Sequence, residues 1–401
     1  MHDLIILIAA LAIILILFKW KLNLTLTMII AALFLGIVYR FNPTEISKTF
    51  YSACVSGETL EIAATLFLVI IFNLSMTAAY TFKRIISNMK NILLDMRWII
   101  AVVPAVIGFL PMFGGALVSA PVVKEITQEM GISSERKTFL NFWFRHIWEY
   151  TLPLYPGILV AAGILGVPVY RIIASNSILT VSAIIIGIIW GTGRLKWRTE
   201  HSREVLSGKG RAILNFLFNL SPIILVMVLV LVFRLKVLYA LLAAIMFTII
   251  TNKIPIRKIL RSVTEEKYGM ILMVFAIMIF KGMLGATGII ERLPLFFKSA
   301  GIPRYLVISF LPFIVGFLTG MTMAAVGITF PVILPLFDGK LSLMTFSFMC
   351  GFAGVLLTPV HFCLALTREY FRADWLKLYR KELILPVFLM IVIGLIYTVI
   401  V

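Results

Sequence analysis

Three ionisable side chains lie close together within an otherwise apolar part of the sequence. Arg145, His146 and Glu149 fall within two helical turns, and Arg145 and Glu149 are spaced i, i+4, which places them on one face of a helix. Ionisable residues inside a membrane are costly and usually face the interior of the helix bundle. Glu149 is therefore a candidate proton carrier, and Arg145 is a candidate for holding a substrate carboxylate. The alternatives are a mutually neutralised structural pair, or an Arg145 side chain that extends towards the inner membrane surface.

A further histidine, His361, directly follows a predicted helix break. There it could sense protons or bind substrate, because histidine titrates near neutral pH; the alternative is a structural histidine whose hydrogen bonds are satisfied. We predict no metal site, because His146 and Glu149, three residues apart, form one isolated pair. The cysteines show no paired metal-ligand spacing either: Cys54, Cys350 and Cys363. No cofactor is expected.

Two stretches rich in glycine and proline interrupt the apolar sequence, one in each half of the chain. The first, from Phe109 to Pro121, reads Phe-Leu-Pro-Met-Phe-Gly-Gly-Ala-Leu-Val-Ser-Ala-Pro, and the second runs from Phe317 to Pro331. Broken backbone at membrane depth is tolerated where protein buries it or where it lines a wet cavity, and glycine lets N–H groups and helix N-termini approach an anion closely. The alternative is that these small residues permit tight helix packing. The candidate substrate-binding residues of the two stretches are Gly114, Gly115, Ser119, Thr319, Gly320 and Thr322.

Prolines break two further predicted helices, Thr138–Leu165 and Leu341–Leu366. Proline removes a backbone donor and frees a carbonyl one turn earlier. Freed carbonyls beside threonine hydroxyls suit a sodium ion, a hard cation that prefers oxygen ligands; the alternative is an ordinary proline kink. The candidate ion-binding residues are Thr151, Pro153, Thr358 and Pro359.

The composition indicates that the helices interrupted by these breaks lie in a membrane. Of the 401 residues, 61% are hydrophobic and only 13% are charged, about half the share of an ordinary soluble domain. Apolar runs near the ~20 residues needed to cross a bilayer recur along the chain, so we predict a polytopic helical membrane protein. The net charge of +18 does not indicate nucleic acid, because the basic residues collect in short loops between apolar runs, where they set topology. Met1 to Phe18 lacks a basic start and a small-residue cleavage site, so it indicates the first membrane helix rather than a signal peptide.

The order of these features repeats in the two halves of the chain. Phe317 follows Phe109 at nearly the same separation as Pro359 follows Pro153, which favours a duplication. If each broken stretch enters the membrane and returns, each half has five crossings, and this odd number inverts the second half relative to the first. That arrangement places most lysines and arginines on the cytoplasmic side, whereas a spanning first stretch would move later basic loops outside. We therefore predict a multi-pass protein of the cytoplasmic (inner) membrane with both termini outside.

The predicted fold is all-α, with two inverted repeats of five crossings, each holding a re-entrant hairpin and a discontinuous helix. Residues 1–191 form the N-terminal repeat, with its hairpin at about 98–130. A basic cytoplasmic linker, 192–211, leads to the C-terminal repeat, 212–401, whose hairpin lies at about 304–338. Inverted halves with broken helices are typical of secondary transporters, which bind substrate near the membrane midplane.

The motifs at these breaks carry a resemblance to a known superfamily. They are Pro111–Pro121, Thr319-Gly-Met-Thr322 with Pro331, and Thr358-Pro-Val-His361 followed by Thr367-Arg-Glu-Tyr-Phe371. The chain resembles the ion-transporter superfamily, which includes carriers for dicarboxylates, citrate, gluconate and arsenite and some sodium/proton antiporters; within it the chain is most similar to the domain-of-unknown-function 401 family. The resemblance implies re-entrant hairpins, discontinuous helices, a scaffold that dimerises, elevator-like movement, and sodium or protons as the coupling ion. The hairpin tips lack the Ser-Asn-Thr signature of the dicarboxylate branch, so a dicarboxylate substrate is not carried over.

Three functions are compatible with these residues. The first is a secondary active transporter that moves a small organic anion of the carboxylate type, bound between the hairpin tips and the broken helices. The second is a cation/proton antiporter that uses Glu149 or His361. The third is an intramembrane enzyme, for which His146 with Glu149 is the candidate group; no HExxH-type arrangement accompanies it, so we expect no enzyme. The expected partners are the organic anion, membrane lipid and a second copy of the chain in a homodimer, with no nucleic acid.

Overall fold

A computed structural model describes residues 2–92, 96–109, 115–128, 130–193, 209–262 and 265–401. Within these ranges the regular structure is entirely helical. Short π-helical segments continue α10 at Gly187–Thr192 and precede α21 at Tyr379–Leu383, and a 3-10 turn, Leu334–Phe337, follows α17. The α-helices are α1 His2–Lys19, α2 Leu24–Val38, α3 Pro43–Val55, α4 Gly57–Ala78, α5 Thr81–Ile92, α6 Met96–Ile107, α7 Ala116–Thr127, α8 Ser134–His146, α9 Pro156–Leu165, α10 Val169–Ile186, α11 Lys209–Leu231, α12 Val237–Asn252, α13 Ile256–Arg261, α14 Glu265–Ala286, α15 Ile289–Ser299, α16 Arg304–Thr319, α17 Thr322–Ile333, α18 Leu341–Leu357, α19 Phe362–Phe371, α20 Trp375–Leu378 and α21 Ile384–Ile400.

Several of these helices have the length and composition of membrane spans. Large apolar side chains such as Ile224, Phe388 and Val399 are exposed on their outer faces, where a bilayer would cover them. The chain is therefore an all-α membrane protein, as its composition predicts. Within the described ranges, six segments are long and apolar enough to cross a membrane: Gly57–Ala78, Val169–Thr192, Gly210–Leu231, Tyr268–Ala286, Leu341–Phe371 and Trp375–Ile400.

The parts of the chain before and after residues 194–208 place helices in a similar order. Each part has a 22-residue helix, α4 or α14, followed by a short helix, α5 or α15. Next come two helices that pack against each other, α6 with α7 and α16 with α17, and then two helices separated by a non-helical break, α8 with α9 and α18 with α19. Most of the predicted basic linker falls on 194–208, outside the described residues.

Glycine and proline residues determine where the helices at the centre of the molecule end and begin. Gly320 ends α16 with a φ of +67°, a left-handed conformation that glycine adopts without strain, and α17 begins two residues later at Thr322. The break between α8 and α9 contains Pro153 and ends at Pro156, the first residue of α9, where proline is tolerated because that N–H has no helical partner. Pro359 lies in the break between α18 and α19.

Glycines bring the backbones of α16 and α18 into direct contact. A Cβ atom on Gly316 would lie 2.1 Å from the Gly351 carbonyl oxygen, and a Cβ atom on Gly354 would lie 2.1 Å from the Phe313 carbonyl oxygen. Such close approach through small residues is a common way for membrane helices to associate. The contact fixes α16, and with it Gly320, against the helix that leads into the break before α19.

A buried polar network holds the break between α8 and α9. Asn176 on α10 donates to the Tyr150 carbonyl oxygen at 3.0 Å and accepts from the Thr345 hydroxyl of α18 at 2.7 Å. The Thr180 hydroxyl, also on α10, donates to the Ile147 carbonyl oxygen at 3.1 Å. Backbone groups that the interrupted helix leaves without helical partners are thus satisfied by neighbouring side chains.

Candidate functional site

A cavity of about 540 Å³ lies where the helix breaks meet. Its wall is formed by the ends of α8 and α16 and the starts of α9, α17 and α19, with the α1–α2 turn and the first part of α14 on the remaining side. Binding sites for small molecules occupy about 300–1,000 Å³, so the cavity can hold a small metabolite. Its polar lining consists of Asn23, Thr25, Arg145, His146, Glu149, Tyr155, Thr319, Thr322, His361 and Cys363.

Three helices begin at the wall of this cavity. They are α9 at Pro156, α17 at Thr322 and α19 at Phe362, and each of these residues lines the cavity. None of the three helices is capped by a hydrogen bond from the side chain of its N-cap residue. The first N–H groups of a helix lack intrahelical partners and carry partial positive charge, so an anion in the cavity can accept hydrogen bonds from them.

Arg145 adds a full positive charge to the cavity wall. It lies in the last turn of α8 and is only 2% exposed. Its Nη1 donates to the Tyr155 hydroxyl at 3.1 Å, and that hydroxyl donates to the Gly108 carbonyl oxygen at 2.7 Å. These bonds connect the guanidinium to the end of α6 and the start of α9. Arginine binds carboxylates through directed, charge-assisted hydrogen bonds, so Arg145 is a candidate partner for a carboxylate in the cavity.

Glu149 lies in the break after α8 and connects it to α17. Its Oε2 accepts a hydrogen bond from the Thr322 hydroxyl at 2.9 Å, and its Oε1 lies 3.8 Å from Nε2 of His146. The Glu149 side chain is only 12% exposed, although it lines the cavity. The carboxylate is therefore held between elements that come from the two parts of the chain.

Two histidines, one at the end of α8 and one in the break before α19, face each other beside Glu149. The Nε2 atoms of His146 and His361 are 3.1 Å apart. Nδ1 of His146 lies 2.6 Å from the Phe142 carbonyl oxygen, and Nδ1 of His361 lies 2.9 Å from the Gly320 carbonyl oxygen. Cys363, in the first turn of α19, completes a cluster with one ligand atom from each residue, and these three atoms lie within 4.8 Å of one another. Their types and spacing allow them to hold a metal ion.

The cavity brings together many of the residues that the sequence singles out. Two of them also fix the α16–α17 connection: the Thr319 hydroxyl donates to the Val315 carbonyl oxygen of its own helix at 2.7 Å, and Gly320 accepts from His361. The predicted residues that line the cavity are Arg145, Glu149, Thr319, Gly320, Thr322 and His361.

The predicted residues of the first glycine-rich stretch lie elsewhere or outside the described ranges. Gly115 directly precedes α7, and Ser119 is fully buried within α7, where its hydroxyl donates to the Ala116 carbonyl oxygen at 3.2 Å. Neither residue belongs to the described cavity lining. Gly114 lies outside the described residues, so its role stays a prediction.

The predicted ion-binding residues lie within the two helix breaks but do not line the cavity. They are Thr151, Pro153, Thr358 and Pro359. The Thr151 hydroxyl lies 2.9 Å from the Thr180 hydroxyl, and the Thr358 hydroxyl accepts from the Val360 N–H at 3.4 Å. These hydroxyls therefore already have protein partners, and sodium binding stays a prediction.

Sequence reasoning missed Tyr155 and Cys363 as parts of the cavity wall. Cys363 stands two residues after His361 at the start of α19, and this short spacing is the one local signal for a cluster. His146, the third member, precedes His361 by 215 residues, so no local pattern could bring it to the other two.

Basic side chains lie beside one edge of the cavity. Phe18 and Asn23 line it, and two exposed lysines lie between them: Lys19, the last residue of α1, and Lys21, in the α1–α2 turn. Positive charge beside a cleft raises the local concentration of anions. The edge of the cavity and its interior therefore both favour negatively charged ligands.

Comparison with known proteins identifies the family of this chain. No curated protein matches the chain. A family model described as "Protein of unknown function (DUF401)" matches residues 2–400, which is nearly the whole sequence. The chain, an all-helical membrane protein with a polar cavity between interrupted helices, therefore belongs to the DUF401 family.

Proposed function

We propose that the protein is a secondary active transporter for a small organic anion of the carboxylate type. The observation that carries this proposal is the convergence of three helix N-termini and the buried Arg145 on one cavity. All four features favour negative charge. The volume of about 540 Å³ suits a small metabolite.

We further infer that the helices around the cavity form two inverted repeats. In this proposal α6–α7 and α16–α17 are re-entrant hairpins, and α8–α9 and α18–α19 are discontinuous helices. The similar helix order in the two parts supports a repeat, as do the crossed contacts of α17 with α9 and of α7 with α19. Broken helices whose N-termini meet an anionic substrate near the midplane are a recurring plan of secondary transporters. Membership of the ion-transporter superfamily and external termini belong to the same proposal.

The hairpins and broken helices would move together as the transporting unit. They would carry the anion past a dimeric scaffold built from the outer helices. Coupling to sodium or protons requires that ion and substrate stabilise the same state, since each changes the affinity for the other by the same factor.

The first test measures thermal unfolding of the purified protein with a panel of small carboxylates, with and without sodium. A ligand that binds only the folded state stabilises it by about 2.7 kcal/mol at a concentration one hundred times its Kd. We expect at least one carboxylate to raise the unfolding temperature, and Arg145→Gln to remove that shift. The exposed Arg171 provides a matched control, and Arg171→Gln should retain the shift. A folded wild-type protein that no carboxylate stabilises would contradict the proposal.

A further inference from the structure

We propose that His146, His361, Cys363 and Glu149 form a binding site for a divalent transition-metal ion, with zinc as the best match. The site goes beyond the transport of an organic anion and does not depend on what the cargo is. Three of the residues offer ligand atoms within 4.8 Å of one another, and the carboxylate of Glu149 is adjacent to His146.

When both rings are neutral, the hydrogen bonds of the two histidines leave both Nε2 atoms without a proton. A carbonyl oxygen can only accept, so Nδ1 of His146 donates to Phe142 at 2.6 Å and Nδ1 of His361 donates to Gly320 at 2.9 Å. In the neutral rings the two Nε2 lone pairs then face each other at 3.1 Å. Two lone pairs at this distance repel each other unless a cation lies between them.

The same hydrogen bonds prepare both rings to bind a metal. A metal-binding histidine commonly donates its other ring N–H to a backbone carbonyl, which fixes the tautomer and the orientation of the ring. His146 and His361 both follow this pattern. Tetrahedral zinc with Zn–N distances of about 2.0–2.1 Å places two ligating nitrogens about 3.3 Å apart. The observed separation of 3.1 Å lies within a few tenths of an ångström of that value.

The additional donors distinguish a metal ion from a shared proton. A shared proton needs two acceptors, whereas this cluster adds a third ligand atom, the Cys363 sulfur. The Glu149 carboxylate lies beside the cluster, with its Oε1 3.8 Å from Nε2 of His146. Zinc accepts nitrogen, sulfur and oxygen ligands together, while a thiolate disfavours magnesium and calcium. The thiolate and carboxylate would also balance the charge of a divalent ion at this largely buried position.

A metal ion bound by this cluster would connect two separate parts of the fold. His146 lies at the end of α8, and His361 and Cys363 lie at the start of α19, so a bound ion would connect the two helix breaks. Glu149 lines the cavity, which places the ion at the cavity wall.

Cobalt provides a spectroscopic test on the full-length protein. The protein is purified in detergent, stripped with a chelator and titrated with Co²⁺, without any carboxylate present. We expect one cobalt per chain, with visible bands of tetrahedral cobalt and a thiolate-to-cobalt charge-transfer band, all removed by zinc. Cys363→Ser should lose the charge-transfer band, and His361→Ala should lose stoichiometric binding. The matched controls Cys54→Ser and Cys350→Ser change the other two cysteines and should keep every band.

Thermal unfolding provides a second readout that excludes misfolded variants. Zinc should raise the unfolding temperature of the stripped wild type but not that of Cys363→Ser, whose metal-free unfolding temperature should match the wild type. A wild type that binds no cobalt at equimolar concentration would overturn the metal site, and the short distance between the two histidines would then be explained by a shared proton. A charge-transfer band that survives in Cys363→Ser would also overturn it. Carboxylate binding is measured separately on the stripped protein, so the failure of either proposal is distinguishable from failure of the other.

Discussion

Thr322, the first residue of α17, donates a hydrogen bond to Glu149, which lies in the break between α8 and α9, at 2.9 Å. The two residues are 173 positions apart in the sequence. The bond connects the α16–α17 connection to the break from the other part of the chain, at the wall of the cavity. Any movement of α17 relative to α9 therefore changes the surroundings of this partly buried carboxylate.

Replacing Thr322 by valine tests this connection. Thr322→Val keeps the shape of the side chain but removes the donor, so Glu149 loses a hydrogen bond of the kind that contributes about 1.5–3 kcal/mol when one partner is charged. We expect the free energy of unfolding to fall by about that amount and carboxylate-dependent stabilisation to weaken. Thr322→Ser keeps the hydroxyl donor and should keep both the free energy of unfolding and the carboxylate-dependent stabilisation close to the wild-type values.

A second threonine of α17 is the control for that substitution. Thr329 is fully buried, and its hydroxyl donates to the Ala325 carbonyl oxygen of its own helix at 2.6 Å. Thr329→Val removes a bond within one helix and should have a smaller effect. Equal losses in Thr322→Val and Thr329→Val would show that the contact with Glu149 has no special importance.

The packing of α16 on α18 predicts a large effect from a single methyl group. In Gly316→Ala the new Cβ would lie 2.1 Å from the Gly351 carbonyl oxygen, a backbone atom that cannot rotate away. The helices must separate, and overpacking of this kind destabilises by about 1–3 kcal/mol or more. Unfolding in a denaturing detergent measures the loss. Gly285→Ala is the matched control, because no heavy atom lies within 4 Å of its new Cβ and alanine favours the helix; equal destabilisation by both would contradict the predicted contact.

The polar network behind the cavity predicts that Asn176 is required for stability. Asn176→Leu leaves the buried Tyr150 carbonyl without its donor, and a buried unpaired group costs about 1–3 kcal/mol, whereas the Thr345 hydroxyl keeps Ser175 as a partner at 2.7 Å. We expect a lower unfolding temperature and weaker carboxylate binding, because Tyr150 directly follows Glu149. Ser177→Ala changes an exposed neighbour whose hydroxyl bonds within α10, and should be nearly neutral. An unchanged unfolding temperature in Asn176→Leu would show that the network does not hold the break.

Local sequence signals account for the places where helices stop. Pro153 and Pro359 predict interruptions, and both lie in non-helical segments, because proline cannot continue the hydrogen-bond pattern of a helix. Gly320 predicts a turn, and the structure places it in a left-handed conformation between two helices. Arg145 and Glu149 are identifiable because charged residues stand out in an apolar segment.

Contacts between distant parts of the chain could not be derived in this way. No spacing rule connects His146 with His361, because the folding of the two breaks onto each other decides that contact. The contact of the Thr151 hydroxyl with Thr180 of α10 likewise depends on the folded chain, and sodium binding by Thr151 stays a prediction. Cys363 lacks a cysteine partner in the sequence, and its histidine neighbours become visible only in the folded chain.

Gradient-driven flux in proteoliposomes tests the central claim most directly. The full-length protein is reconstituted, a sodium or proton gradient is imposed, and uptake of labelled carboxylates is measured together with internal pH. The account predicts gradient-dependent uptake of at least one small carboxylate, lost in Arg145→Gln and retained in Arg171→Gln. Folded, reconstituted protein that takes up no carboxylate, while sodium alone drives proton flux, would contradict it and indicate a cation/proton antiporter.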